Sequence, residues 1–239
     1  MPEPEPSTAP AHDPAALRPP SPAGPPPDPG ALLRRFTGLL ERAHDGSRAD
    51  AEAVGRELLD RWAEPHRHYH TTEHLSAVLA RLDELAAVPL DPVAVELAAW
   101  FHDAVHDPSG SRNEENSAHL AERLLAEAGV PEPCRAETAR LVRLTAGHDP
   151  APGDTSGETL CDADLAVLAG PPSAYAAYAA AVRREYGFVP QDAFREGRAA
   201  VLRRLLERPA LYRTPHGREH WEATARYNVA GELDLLTGT

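Results

Sequence analysis

An apolar run, Leu97-Ala-Ala-Trp-Phe101, leads without a break into His102-Asp103. A run of this kind belongs inside a domain. A carboxylate carried in with it is costly unless it is paired or bound to a cation. Whatever fold the chain adopts must therefore bring partners to one end of this segment. A metal ion would meet that demand; a surface Asp beside a core His at a helix end would remove it. The pair alone does not choose between the two.

From residue 31 onward the spacing of apolar residues is helical almost throughout. Leu32, Leu33, Phe36, Leu39 and Leu40 recur at helix intervals, and Val54, Leu58, Leu59 and Trp62 repeat the pattern before Pro65 closes it. The same spacing predicts a helix through Leu75, Val78, Leu79, Leu82 and Leu85, and another carrying the 97–101 run. A capping box, Ser111-Arg-Asn-Glu114, predicts a helix to about residue 128. Leu141, Val142 and Leu144 mark the next, which Gly147 ends. A cap-like Thr155-Ser-Gly-Glu158 opens one through Leu160, Leu165, Val167 and Leu168 that stops at Gly170-Pro-Pro. Three more cover 174–186, 191–206 and 219–236. No alternating β pattern and no repeat of fixed period is present. The expectation is all-α: one domain of nine or ten helices over residues 31–239.

Residues 1–30 form a different segment. They hold many of the 25 prolines and, apart from Leu17, almost no apolar side chain larger than Ala. Such a stretch buries too little surface to offset its ordering entropy, so it is predicted to be a disordered Pro-rich tail. It lacks the basic and apolar regions of a secretory signal, and no apolar stretch approaches the ~18 residues of a membrane span. The formal net charge is −13. Glu3, Glu5, Asp13 and Asp28 against Arg18 give the tail −3, which leaves the body at −10. That balance argues against a nucleic-acid polymer or an anionic membrane as partner. A small phosphorylated substrate stays compatible with it, because a bound cation can reverse the local potential. Cys134 and Cys161 form neither a CxxC pair nor a disulfide framework, which fits a reducing, cytoplasmic setting.

Two polar residues fall on apolar faces. His74 precedes Val78, Leu82 and Leu85 on one stripe, so it points inward, either as a hydrogen-bonded core residue or as a ligand. Leu160, Asp164 and Leu168 are spaced by four, so Asp164 lies on a buried face. A cation, an Arg partner or backbone amides would each answer it. Asp162, about 200° away around the helix, points elsewhere. Taken together, His74, His102, Asp103 and Asp164 offer two imidazoles and two carboxylates. That set suits a divalent ion such as Mn, Fe, Zn, Co, Ni or Mg, held between facing helices.

At these residues the chain resembles the HD superfamily of metal-dependent phosphohydrolases, most closely a subfamily of predicted HD phosphohydrolases. Four ordered motifs carry the likeness: Tyr69-His-Thr-Thr-Glu-His74, Phe101-His-Asp-Ala-Val-His-Asp107, Asn113-Glu-Glu-Asn-Ser-Ala118 and Asp162-Ala-Asp-Leu165. The resemblance implies a helical bundle of the HD/phosphodiesterase type. It also implies His74, His102, Asp103 and Asp164 as metal ligands, and hydrolysis of a small phosphoester, a nucleotide among the candidates, by metal-bound water. His70 stands where distant cyclic-nucleotide phosphodiesterases place the His that protonates the leaving oxygen. Asp107 stands where relatives that hydrolyse the stringent-response nucleotide carry the second residue of a Glu-Asp pair. Here His106 replaces that Glu, which argues against that substrate and leaves Asp107 as a water-orienting base.

Arg67 is a candidate phosphate clamp or a solvated cation. His148, at a helix end beside Gly147, is a candidate contact to substrate or to a weaker second ion. Asn113 and Glu114 are candidates for the layer behind the ligands, although the capping box explains Glu114 without chemistry. Two other functions fit the same residues. One is an oxygen-activating di-iron HD enzyme, for which the chain offers few extra histidines. The other is a non-catalytic helical metal-binding module.

Overall fold

In the computed structural model, which describes residues 27–43, 48–85 and 89–238, the apolar run sits on a helix that starts cleanly. Pro92 occupies its first turn, and Asp91 Oδ1 accepts from the Ala94 amide at 3.0 Å. A proline there gives up only an amide hydrogen that has no partner inside the helix. Ala94, Val95 and all of residues 97–101 are buried.

Among the described residues there are eleven α-helices and no strand: α1 (Pro29–Ala43), α2 (Arg48–Trp62), α3 (Thr72–Glu84), α4 (Pro92–Phe101), α5 (Asn113–Glu127), α6 (Glu132–Leu144), α7 (Thr155–Leu165), α8 (Pro172–Glu185), α9 (Gln191–Glu207), α10 (Pro215–His220) and α11 (Glu222–Thr237). A 3₁₀ turn, Ala166–Ala169, follows α7. The predicted disorder of the tail falls mainly on residues 1–26, outside the described residues. No single described helix is long and apolar enough to cross a membrane.

Helix α4 is surrounded: α1, α3, α5, α6 and α7 all pack on it. Phe36 of α1 meets Trp100 edge-on at 5.1 Å, and Trp62 Nε1 donates to Trp100 O at 3.0 Å. Burying each such side chain stabilises the fold by about 1.5–3 kcal/mol. Gly55 lets α2 cross close over α1, because a Cβ there would stand 2.7 Å from Leu33 Cδ1 and 2.9 Å from Phe36 Cδ1. One apolar cluster runs from Leu32 in α1 to Val229 in α11.

Three details differ from the sequence expectation. Ser111 does not cap α5. The helix starts at Asn113, whose own amide is bonded to the Asp107 backbone on both sides, Nδ2 to O at 2.9 Å and Oδ1 to N at 3.1 Å. At α7 the cap is Asp154, which accepts from Gly157 N at 3.0 Å. Finally, the interval between the helices expected over 191–206 and 219–236 holds the start of a further short helix, α10. Thr214 Oγ1 caps it by accepting from Gly217 N at 3.0 Å, and Pro215 fills its first turn. This raises the helix count above nine or ten.

Candidate metal centre

Three helices bring His74, His102, Asp103 and Asp164 to one place. His74 lies on the buried face of α3 with Val78 and Leu82. Its ring is packed by Tyr69 at 4.7 Å and Trp62 at 6.2 Å between centroids. His102 caps the C-terminus of α4, and its Nδ1 is 2.8 Å from Ala99 O. A carbonyl only accepts, so Nδ1 carries the hydrogen and the Nε2 lone pair is free to face the other three side chains. That nitrogen is 3.0 Å from Asp103 Oδ2, 3.3 Å from His74 Nε2 and 3.7 Å from Asp164 Oδ1. His74 Nε2 is 3.1 Å from Asp164 Oδ1 and 3.8 Å from Asp103 Oδ2. Neighbouring donors each about 2.0–2.2 Å from one ion stand about 3–3.5 Å apart. His74 and His102, both buried, and the half-buried Asp164 form a group that could hold a metal ion, and Asp103 Oδ2 stands beside both imidazoles.

The electrostatics agree with that donor set. Burial disfavours charge on His102, but Asp103 and Asp164 outweigh it and push its pKa up to about 9. His74 goes the other way, because burial outweighs its bond to Asp164 and lowers its pKa. Burial would raise both carboxyls, yet His102 and His70 hold Asp103 down, and His102, His148 and His74 hold Asp164 down. A proton on His102 and a divalent ion are thus alternative ways of neutralising the same two carboxylates.

Around this set the structure distributes the remaining sequence-predicted residues unevenly. His148 Nε2 is 2.7 Å from Asp164 Oδ2, so Asp164 turns one oxygen to His74 and the other to His148. His148 has φ 47, a left-handed backbone uncommon for a residue with a Cβ. Arg208 secures that turn by donating to the carbonyls of His148 and Gly147 at 2.9 and 2.6 Å. His148 therefore orients a ligand as well as lining the cleft. Glu114 also lines the cleft. His119 lies apart, exposed and paired with Glu115.

Three expectations need correction. Arg67 is neither solvated nor free to clamp phosphate. Its side chain is fully buried and bonded to Glu64, to His70 O, and to the carbonyls of Asp103 and Ala104 at 2.7 and 3.2 Å. It fastens the backbone of the His-Asp pair to the segment that precedes α3. Asp107 is exposed, and its carboxylate accepts from Ser109 N and Oγ at 2.9 and 2.7 Å. It lines a separate depression with His66 and Phe188. Helix α4 ends at Phe101 with His102 as its C-cap, and residues 104–107 are not helical, so the four-residue interval from Asp103 does not place Asp107 on the same face. Asn113 braces the Asp107 backbone and contacts none of the four candidate ligands.

Sequence reasoning missed Glu185, at the end of α8. Its carboxylate is buried. Oε2 accepts from the amides of His68, Tyr69 and His70 at 2.8, 3.0 and 3.3 Å, while Oε1 faces His70 Nδ1 at 2.5 Å and His106 Nε2 at 2.9 Å. Burial opposes its charge, but the bonds from His106 and His70 hold its pKa far below the usual carboxylate range. His70 is thereby fixed, with Nε2 3.8 Å from Asp103 Oδ2 and its pKa raised against burial by Asp103 and Glu185. The signal was available: Tyr178, Val182 and Glu185 share a helix face, the reasoning that singled out Asp164. Asp162 points away as expected, yet it is fully buried, accepting from Arg213 N, Thr214 N and Thr214 Oγ1 at 2.8, 2.8 and 2.7 Å.

His102, Asp103 and Asp164 line a cleft of about 520 Å³, walled also by Tyr69, Thr145 and Tyr178, by Arg198 and Arg204 of α9, and by Arg208 just past its end. No family model matches this chain, and no curated protein or solved structure matches it.

Proposed function

We propose that the chain is a metal-dependent phosphohydrolase of the HD type acting on a small phosphate ester. The observation that carries the reading is the convergence of His74, His102, Asp103 and Asp164, three of which line a cleft that Arg198, Arg204 and Arg208 also line. A divalent ion held there would supply Lewis acidity and lower the pKa of water near 7. The chain's own residues supply the rest. The arginines that line the cleft meet charge on the phosphoryl oxygens. Arg198 is already matched by Glu232 at 2.8 Å, and the Arg208 guanidinium is engaged by two carbonyls. Arg204 is exposed and has no bonded partner among the described residues, which leaves its guanidinium for substrate.

His70 is placed to finish the reaction. Its Nδ1 is held by Glu185, and its Nε2 faces the cleft beside Asp103. When the phosphorus–oxygen bond to the alcohol breaks, water provides the new oxygen on phosphorus and His70 Nε2 returns a proton to the departing alcohol. The products are inorganic phosphate and the free alcohol. A second group, His70, Asp103 and His106, has ligand atoms within 4.8 Å of one another and adjoins the first through Asp103 Oδ2, 3.0 Å from His102 Nε2. It is the observation that favours a two-ion, oxygen-activating reading. Two ions per chain with iron–oxygen absorption would support that alternative.

The test is turnover of a phosphomonoester panel by protein loaded in turn with Mn, Fe, Co, Zn and Ni. Hydrolysis that vanishes in His102→Ala and Asp103→Ala supports the proposal. Full activity in either variant, or none from the parent with any ion, refutes it.

A further inference from the structure

Helix α9 walls two compartments, and His70 stands at their junction. The first is the cleft over the candidate metal centre. The second, of about 450 Å³, shares Tyr69, His70, Tyr178, Arg198 and Val201 with it and continues along α9 toward the start of the helix. Their chemistry differs. The first holds Asp103, Asp164, Glu114, His148, Arg204 and Arg208. The second is walled mainly by Tyr186, Val189 and Phe194, floored by Ala193 and Gly197, and contributes no carboxylate.

The aromatic wall is braced. The Arg183 guanidinium lies 4.5 Å from the Phe194 ring centre and donates to Tyr186 O and Val189 O at 2.7 and 3.0 Å. Tyr186 and Phe194 stand 6.4 Å apart, tilted rather than stacked on each other. Val201, at the rim between the compartments, is apolar and exposed. An apolar bay with a few fixed polar groups is the usual form of a small-molecule site.

From this placement we infer that the substrate's leaving group carries a planar aromatic ring, and that this ring occupies the bay formed by Tyr186, Val189 and Phe194. The inference rests on the phosphohydrolase reading. If the phosphoryl group lies over the metal centre and His70 protonates the departing oxygen, the alcohol must extend past His70. The compartment that shares His70 with the cleft and continues beyond it is the aromatic bay. The substrate class is then a phosphomonoester whose alcohol carries an aromatic ring, either directly on the ester oxygen, as in an aryl phosphate, or through a sugar, as in a nucleoside monophosphate. Arg204 is the phosphate-binding side chain, because it lines the first compartment and not the second.

The experiment compares phenyl phosphate, nucleoside 5′-monophosphates and glycerol phosphate, which carry the same phosphoryl group on different alcohols, with metal-loaded protein. Transferring a ring into an apolar bay predicts kcat/KM about tenfold or more in favour of an aromatic ester, carried mainly by KM. Whichever aromatic ester leads distinguishes the two sources. Gly197→Leu fills the bay. A Cβ at Gly197 meets nothing within 4 Å, and leucine favours a helix, so the variant keeps its fold. It should collapse the aromatic-to-glycerol ratio to within about threefold of one and abolish binding of phenylphosphonate measured by calorimetry. Phe194→Ala should lower the same ratio. Equal kcat/KM on glycerol phosphate and the aromatic esters, or an unchanged ratio in Gly197→Leu, overturns the inference while the phosphohydrolase reading stands. Failure to hydrolyse any ester overturns both.

Discussion

Removing Glu185 should damage both the fold and the chemistry. Its buried carboxylate accepts from three backbone amides and faces two imidazoles, so Glu185→Ala strands five donors at once. Breaking a buried charged network of this kind costs about 3–5 kcal/mol. Glu185→Gln keeps the volume and one oxygen for the amides, but its NH₂ would face His70 and His106. Losing the charge-assisted bonds should cost about 1.5–3 kcal/mol. Urea unfolding followed by fluorescence of the buried Trp62, Trp100 and Trp221 reads both values. The pH dependence has a fixed sign. The folded pKa of Glu185 lies below its ordinary 4.5, so its contribution is present above about pH 4.5 and is lost as pH falls toward the folded value. The gap between parent and Glu185→Ala should therefore narrow in acid. A Glu185→Ala protein within about 1 kcal/mol of the parent at pH 7 would mean that this network does not hold the fold.

Other consequences follow from the same geometry. Arg67→Lys keeps the charge but cannot span Glu64 and three carbonyls, so it should lower stability by about 2–4 kcal/mol; a substrate clamp would raise KM and leave urea unfolding unchanged. Asp162→Ala should destabilise by about 3 kcal/mol, because it strands the amides of Arg213 and Thr214, yet retain metal. Asp164→Ala should lose metal, and equal metal content in the two variants would contradict the assignment. In the metal-free protein His102 has its pKa raised to about 9, so the stability it contributes is present below about pH 6.5 and lost as pH rises through 9. A metal must displace that proton, so competition titration should show affinity rising between pH 6.5 and 9; a flat profile would contradict it.

The helical class was legible because apolar spacing depends only on which face is buried, and so were His74 and Asp164, each aligned with leucines or valines of its own helix. What the sequence hid depends on partners distant in the chain. Arg67 looks like a surface cation until Asp103 and Ala104 present their carbonyls to it. Asp107 follows Asp103 by one helical turn in number, yet the helix has already ended. Glu185 is 115 residues from His70, so its place on the Tyr178 and Val182 face does not reveal which groups it meets. Ser111 met the pattern of a capping box, but Asn113 found better partners in the Asp107 backbone.

The central claim is that four side chains from three helices hold one divalent ion. The most direct test is metal content per chain, by mass spectrometry, on protein purified without chelating tags or additives, beside the Asp103→Ala variant. About one transition ion per parent chain, lost in the variant, is expected. No ion in either protein, even after incubation with Mn, Fe, Co, Zn and Ni, would contradict it and remove the phosphohydrolase reading with it.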